Sequence, residues 1–222
     1  VQTCALPIWD LALQSGKING YFGDLLNALL LINSGQDIAV LTTVFHTTPR
    51  QRMFALLASP KSGVAGLRQA EGETVAVSKA SVIEYVLDLM MARAGVEAAK
   101  ISKTEIKAIP IRYQMLMSDK VRLAVLPEPL ATKAESEGAK VLADDRNLDM
   151  TLTVLALKSD LVRRHNDLVP RFSRAYNNAV EAINRNPDSF KELLVQKTQF
   201  PPSLKETYRI PFFPLTRRPY CG

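Results

Sequence analysis

The chain has 222 residues, 47% apolar and 23% charged, with a net charge of +6 and a mean hydropathy close to zero. That balance buries one large core or two modest ones, which excludes a disordered or fibrous chain. Two cysteines at the extreme ends, Cys4 and Cys221, and two distant histidines, His46 and His165, cannot supply a Cys/His zinc site.

Residues 1–8, VQTCALPI, read as a translated sequencing-library adapter and are set aside. From Trp9 onward no basic segment followed by an apolar stretch and a small-residue cleavage site is visible, so no secretion signal is read. Gly20 to Gly23 leads into a helix that Asp24 is expected to cap. The apolar run Leu25 to Ile32, interrupted by Asn27, belongs to that helix and falls well short of the roughly 20 residues a bilayer crossing needs. Ile38 to Val44 and Phe54 to Ala58 read as strands.

Thr74 to Val77 is a short β-branched run that gives way at Ser78 to a helical pattern from Ser81 to Ala94. Ser81 and Glu84 have capping-box spacing, and Gly95 ends the helix. The same grammar repeats with Glu105 to Ile109 as a strand closed by Pro110, Arg112 to Ser118 as a short helix and Val121 to Val125 as a strand. Leu126-Pro127-Glu128-Pro129 then opens a helix to Gly138, and Lys140 to Ala143 is a further strand. Alternating β and α elements predict mainly parallel sheets flanked by helices.

After Asp149 the pattern changes. Leu152 to Leu157 reads as one more buried strand, and Asp160 to Gln199 is almost wholly helical, with Asp167 and Asn186 as expected N-caps and Pro187 in a first turn. The charge excess lies here. Residues 1–63 hold 4 basic and 3 acidic groups, 64–146 hold 12 and 12, and 147–222 hold 12 and 7. Arg163, Arg164, Arg171, Arg174 and Arg185 are spread over several turns with acids among them, the pattern of a solvated helix face and not of a nucleic-acid stripe. Ile210 to Gly222, with Pro211, Pro214 and Pro219, reads as an extended tail. One strand and several helices need an earlier sheet to pack on. Two lobes are therefore expected, lobe one from 9–60 and 147–222, lobe two from 61–146.

Ligands of open α/β sheets collect beyond the C-terminal strand ends, where helix N-termini offer unpaired N–H groups. Three junctions qualify. Ser78-Lys79-Ala80-Ser81 combines two hydroxyls, a cation and free amides; Tyr21-Phe22-Gly23-Asp24 sets an aromatic pair beside a glycine; Pro127-Glu128-Pro129 offers one carboxylate on a rigid loop. Helix capping alone also accounts for Ser81 and Asp24. No G-x-x-x-x-G-K-[ST], G-x-G-x-x-G or G-x-S-x-G pattern occurs. Asp144 and Asp145 beside Arg146 point to opposite faces if extended, so a turn or hinge is expected rather than a catalytic pair. His46, before Thr47-Thr48-Pro49, has no nearby nucleophile, and His165 lies among arginines at the surface.

GYFGDLLNALL at 20–30, VAVSKASVIEY at 75–85, IPIRYQML at 109–116 and AVLPEPLATKAESEGAKVLADD at 124–145 together resemble the substrate-binding proteins of ABC importers of the nitrate, sulfonate, taurine and thiamine-precursor type. The resemblance runs from about Trp9 to Pro219. It implies a two-lobed, type II periplasmic-binding-protein fold that closes on a small solute, with lobe one incomplete because members of that family begin with an export signal, often lipidated, and further β-α units. By position it implies lobe-one contacts at Tyr21, Phe22, Gly23 and Asp24 and near Thr47 and Thr48. Lobe-two contacts fall at Ser78, Lys79, Ala80 and Ser81, with Glu128 at the cleft edge. It further implies no cofactor, metal or nucleic acid, an ABC permease with its ATPase as partners, and a periplasmic or extracellular place, with or without a lipid anchor. Two rivals share the architecture: the effector domain of a LysR-type transcription regulator, and the yeast-type thiamine-pyrimidine synthases, whose cysteine-rich motif does not occur here.

Overall fold

The structure, a computed structural model, describes residues 8–198 and 200–216. The adapter-like residues 1–7, both cysteines and Pro219 lie outside the described residues. In chain order the elements are α1 (Ile8–Gln14), β1 (Gly20–Asp24), α2 (Leu25–Asn33), β2 (Ile38–His46), β3 (Phe54–Ala58), β4 (Thr74–Val77), α3 (Val82–Arg93), β5 (Ser102–Glu105), α4 (Ile109–Met117), β6 (Leu123–Pro127), α5 (Leu130–Ser136), β7 (Lys140–Asp144), β8 (Thr151–Lys158), α6 (Ser159–Arg164), α7 (Leu168–Arg185) and α8 (Lys191–Lys197). Among the described residues no helix is long and apolar enough to cross a membrane.

Two compact units result, one from Val1–His46, Thr151–Asn186 and Phe212–Gly222, the other from Thr47–Met150 and Pro187–Pro211. The divisions fall at 46/47 and 150/151 instead of the expected 60/61 and 146/147. Phe54 to Ala58, read as a lobe-one strand, is the reason: β3 pairs with β6 and β7 in the second unit. Residues 187–211 also join that unit, where Phe200 packs edge-on against Tyr208 at 5.1 Å between ring centres.

Both sheets follow one plan. In the second unit the order is β5-β4-β6-β3-β7. β4 runs parallel to β5 and β6, whereas β3 runs antiparallel to both β6 and β7. In the first unit the order is β1-β8-β2, with β8 antiparallel to both neighbours. The larger sheet is thus mixed and the smaller one antiparallel, where mainly parallel sheets were expected. The β-α grammar does give co-directional strands, since β6-α5-β7 and β1-α2-β2 each join two strands of one sense. A reversed strand, β3 or β8, is inserted between each such pair and turns its ladders antiparallel.

The second unit is covered on both faces of its sheet. Every residue of β3 is buried, the continuous apolar pattern of a strand with helices on either side. Ala55 and Leu57 of β3, Ala76 of β4, and Ala124 and Leu126 of β6 cluster with Leu116 of α4 and Ala131 and Ala134 of α5. The alternate residues Leu56, Val75 and Val125, also fully buried, face the opposite side, where α3 packs on β3 and β6. The first unit has a smaller core of Leu13, Tyr21, Ala28, Leu31, Ile38, Val154 and Ala156.

Several boundaries differ from expectation. Residues 20–24 form a strand rather than a lead-in loop, and β5 ends at Glu105, so 106–108 are loop. Pro110 opens α4 instead of closing a strand, because a first-turn residue needs no N–H partner. Asp24 and Asp167 occupy N-cap positions without a side-chain capping bond, and Asn186 is the C-cap of α7. Asp167 instead accepts from Arg171, and Arg163 and Arg164 pair with Asp37 and Asp160, all exposed, as a solvated face requires. Residues 211–216 are irregular; their backbone is held on α7 by Asn184, which bonds both N–H and C=O of Phe213, and by Asn177, which accepts from Thr216.

Gly20 tests the β1–β8 ladder. A Cβ there would stand 2.5 Å from the Ala156 carbonyl oxygen and 3.2 Å from the Leu157 Cα, so backbone must move. Gly20→Ala should cost about 1–3 kcal/mol, read as a lower denaturant midpoint with an unchanged slope; an unchanged midpoint would refute the pairing.

Candidate functional site

Because β4, β5, β6 and β7 share one direction and β3 opposes them, one edge of the larger sheet gathers the C-terminal ends of four strands and the entry to β3. Ser78, Ile106, Glu128, Asp145 and Arg52 all lie along it. Such an edge is where α/β sheets take ligands.

At the exit of β4 the chain turns sharply into α3 through Ala80, whose φ is +53°. Ser81 caps α3: its Oγ accepts from the Ile83 N–H at 3.2 Å and donates to the Ser78 carbonyl at 2.6 Å. Glu84 closes a variant of the expected capping box, accepting from the Ala80 N–H at 2.6 Å instead of that of Ser81. Glu84 and Asp88 share one cationic partner, Lys103, at 3.2 and 2.6 Å. Lys79 remains exposed at the turn.

Beneath this turn lies Arg112 of α4, fully buried. Its Nε donates to the Ile106 carbonyl at 3.0 Å, Nη1 to the Val125 carbonyl at 2.7 Å and Nη2 to Ser78 Oγ at 2.5 Å. Among the described residues no carboxylate pairs with it. Burial lowers its pKa to about 10, which leaves it a cation at neutral pH. Against the negative charges of Glu84 and Asp88 stand the positive charges of Lys103, Lys79 and Arg112, so the β4–α3 junction carries a net positive charge. Arg112 was not among the sequence candidates. The signal was its position: Ile109, Arg112, Tyr113 and Leu116 share one helix stripe, and the other three pack on the core.

The other candidates in this unit have internal partners. Glu128 forms an ion pair with Arg52 at 2.6 Å and accepts from the Thr132 hydroxyl at 2.7 Å and N–H at 3.3 Å at the start of α5. The Thr47 hydroxyl accepts from the Met150 N–H at 2.8 Å, and its own N–H donates to the Met150 carbonyl at 2.8 Å. Thr48 accepts from the Arg50 N–H at 3.3 Å in a turn. Asp145 is fully buried and accepts from the Met53 and Phe54 N–H groups at 2.9 and 3.1 Å, whereas Asp144 pairs with Arg146. The two acids do face apart.

Tyr21 to Asp24 lie in the first unit. Tyr21 is buried with its ring against Gly23, where a Cβ would meet Cε2 at 2.3 Å. Phe22 is exposed. Tyr21 neighbours a buried polar pair in which Asn27 Nδ2 donates to Asp10 Oδ1 at 2.7 Å, and burial together with the Asp10 charge pushes the Tyr21 hydroxyl up to about 12. Burial likewise pushes the Asp24 carboxyl up to about 6. At the same edge His46 Nδ1 lies 3.1 Å from Thr151 Oγ1. Among the described residues no group of His, Cys, Asp and Glu side chains is arranged to hold a metal ion.

The family model described as NMT1/THI5 like matches residues 21–190. The chain belongs to the NMT1/THI5-like family. A search of the curated proteins returns no match. Among solved structures the chain is similar to the periplasmic aliphatic sulphonate-binding protein SsuA from Escherichia coli, with a TM-score of 0.78 and 17% identity over 95% of this chain and 67% of that one. It is also similar to the alkanesulfonate-binding protein SsuA from Xanthomonas axonopodis pv. citri bound to MOPS, with a TM-score of 0.75 and 18% identity over 89% of this chain and 68% of that one. The desulfurization enzyme DSZB follows with a TM-score of 0.69 and 14% identity over 97% of this chain and 76% of that one. At these identities the matches establish the fold, that of type II periplasmic binding proteins.

Asp24 yields a pH prediction. Its folded pKa, about 6, exceeds the ordinary 3.8, so between those values the folded chain holds a proton that the unfolded chain releases. Its contribution is full below pH ~4 and lost as pH rises through ~6, on the order of 2–3 kcal/mol for a two-unit shift. Asp24→Asn should therefore flatten part of the fall in stability between pH 4 and 6, measured by denaturant midpoints; parallel curves for the two proteins would contradict it.

Proposed function

We propose that this chain is the solute-binding component of an ABC importer, which captures a small polar or anionic organic solute outside the cytoplasm and delivers it to a permease and its ATPase. The observation that carries this reading is the β4–α3 junction, where a helix start, an exposed Lys79 and a Ser78 hydroxyl backed by a buried guanidinium stand at the ligand edge of a binding-protein sheet. Such a junction favours the oxygens of a sulfonate, carboxylate or nitrate over a cation.

Within this proposal Ser78, Lys79, Ala80 and Ser81 hold the charged end of the solute, and Tyr21, Phe22, Gly23 and Asp24 are the candidate contacts of the first unit. The exposed ring of Phe22 suits an apolar moiety. Glu128, Thr47 and Thr48 act one step removed, since each shapes its loop through the bonds described above. Membrane contact comes through the permease or a lipid anchor. Family membership and the sulfonate-binding relatives support binding over catalysis, although DSZB is an enzyme on the same fold.

Isothermal titration of the purified chain with butanesulfonate, nitrate, an aminopyrimidine and benzoate tests the reading. Saturable binding of at least one is expected, and no heat from any of them would remove the proposal. Ser78→Ala should weaken the anionic ligand about tenfold, roughly 1.4 kcal/mol. Ser81→Ala, by contrast, should cost about 1 kcal/mol of stability through the lost cap, with a smaller change in affinity.

A further inference from the structure

Arg112 raises a question that solute binding alone does not answer. A fully buried guanidinium is usually matched by a carboxylate, yet the acceptors here are the Ile106 and Val125 carbonyls and the Ser78 hydroxyl. Two of these are fixed by backbone. Ser78 alone can respond, because its hydroxyl rotates and it is only partly buried. A hydroxyl that accepts from a guanidinium has one lone pair engaged and its oxygen drained of electron density. Its own proton becomes the better hydrogen-bonding group. Among the described residues nothing accepts that proton: Ser81 Oγ, the nearest hydroxyl in the turn, already gives its proton to the Ser78 carbonyl and takes the Ile83 N–H.

We propose that Arg112 is the positioning residue that sets the charge selectivity of the solute site: by engaging the inner side of Ser78 Oγ it fixes Ser78 as a donor, so the group seated at the β4–α3 junction is an oxyanion. This rests on the solute-binding reading above. Arg112 touches no solute; its effect passes through one hydroxyl. The nearby acids do not cancel that bias, since Glu84 and Asp88 are outnumbered by Lys103, Lys79 and Arg112. A neutral group of the same shape, able to accept but uncharged, gains less from the polarised proton and nothing from the buried charge behind it.

The test compares butanesulfonate with its neutral isostere butanesulfonamide by titration calorimetry, with circular dichroism melts to confirm folding. The wild-type chain should prefer the sulfonate. Arg112→Gln should reduce that preference at least tenfold while leaving sulfonamide affinity nearly unchanged, and Arg112→Lys should restore part of it. In a Ser78→Ala background, Arg112→Gln should add less than it does alone. A merely structural role predicts that both ligands weaken together, and that result in folded variants would overturn the inference while leaving the binding function intact. If neither Arg112 variant folds, Ser78→Ala decides: a sulfonate-to-sulfonamide ratio equal to wild type overturns it. Wild-type protein that binds none of the solutes tested overturns the functional reading and this inference together.

Discussion

Desolvating a guanidinium costs on the order of several kcal/mol unless its donors are met, and this constraint organises the edge of the larger sheet. Arg112 is met by three acceptors on three segments: the loop after β5, the middle of β6 and the turn after β4. Those segments must keep their register for the cation to be tolerated. A carboxylate would have satisfied Arg112 more strongly and would also have erased its field. Carbonyls and a hydroxyl compensate by dipole alone, so a positive potential survives at the surface turn.

That edge exists because of β3. Had β7 paired directly with β6 in the parallel sense, the edge would hold only strand exits. The reversed β3 brings its entry there instead, with Arg52 beside Glu128 and the Met53 and Phe54 N–H groups over Asp145. The first two turn the potential ligand loop after β6 into a braced corner. The third explains how a buried carboxylate with a pKa near 6 is accommodated: two backbone donors offset part of its burial. The smaller sheet repeats the device with β8, and there the corner is set by Thr151 beside His46.

Most strands and helices between 74 and 144 were legible in the sequence because their patterns are local; β5 was not, since the expected Glu105 to Ile109 overlaps it only at Glu105. TVAV and AVLP are apolar runs closed by Ser and Pro, and Ser81 with Gly95 brackets α3. Pairing sense was not legible. FALLA at 54–58 looks the same whether it joins the first sheet or the second, and only long-range contacts with Leu126, Val125 and Ala143 decide. Asp24 misled for a related reason: a residue ahead of a helix is a reasonable cap until its backbone proves to end a strand paired with Thr153. Among the site residues Ser78 and Ser81 could be found from the junction. Glu128 could be found but not its partner, since Arg52 lies 76 positions away in sequence. Arg112 was visible as a charge on an apolar stripe, a conflict between local pattern and burial of the sort that marks functional positions.

The two sheets share a plan and differ in what their edges carry, which is where function must be argued. Along the edge of the first unit Asp24 is a carboxyl whose burial favours its neutral form, and the buried Asp10 is likewise raised. Along the edge of the second, Asp145 is raised by burial too, but Arg112 and Lys79 add cations that no carboxylate among the described residues pairs with. The same device of a reversed strand between two co-directional ones therefore yields edges of different charge. Sheet geometry cannot produce that difference, and the side chains responsible sit in the turns after β1 and β4 or behind them on α4. The same reasoning shows how one fold can be shared with sulfonate-binding proteins and a desulfurization enzyme at 14–18% identity: the buried strands conserve the plan, while a few residues at the strand exits decide whether a solute is held or transformed.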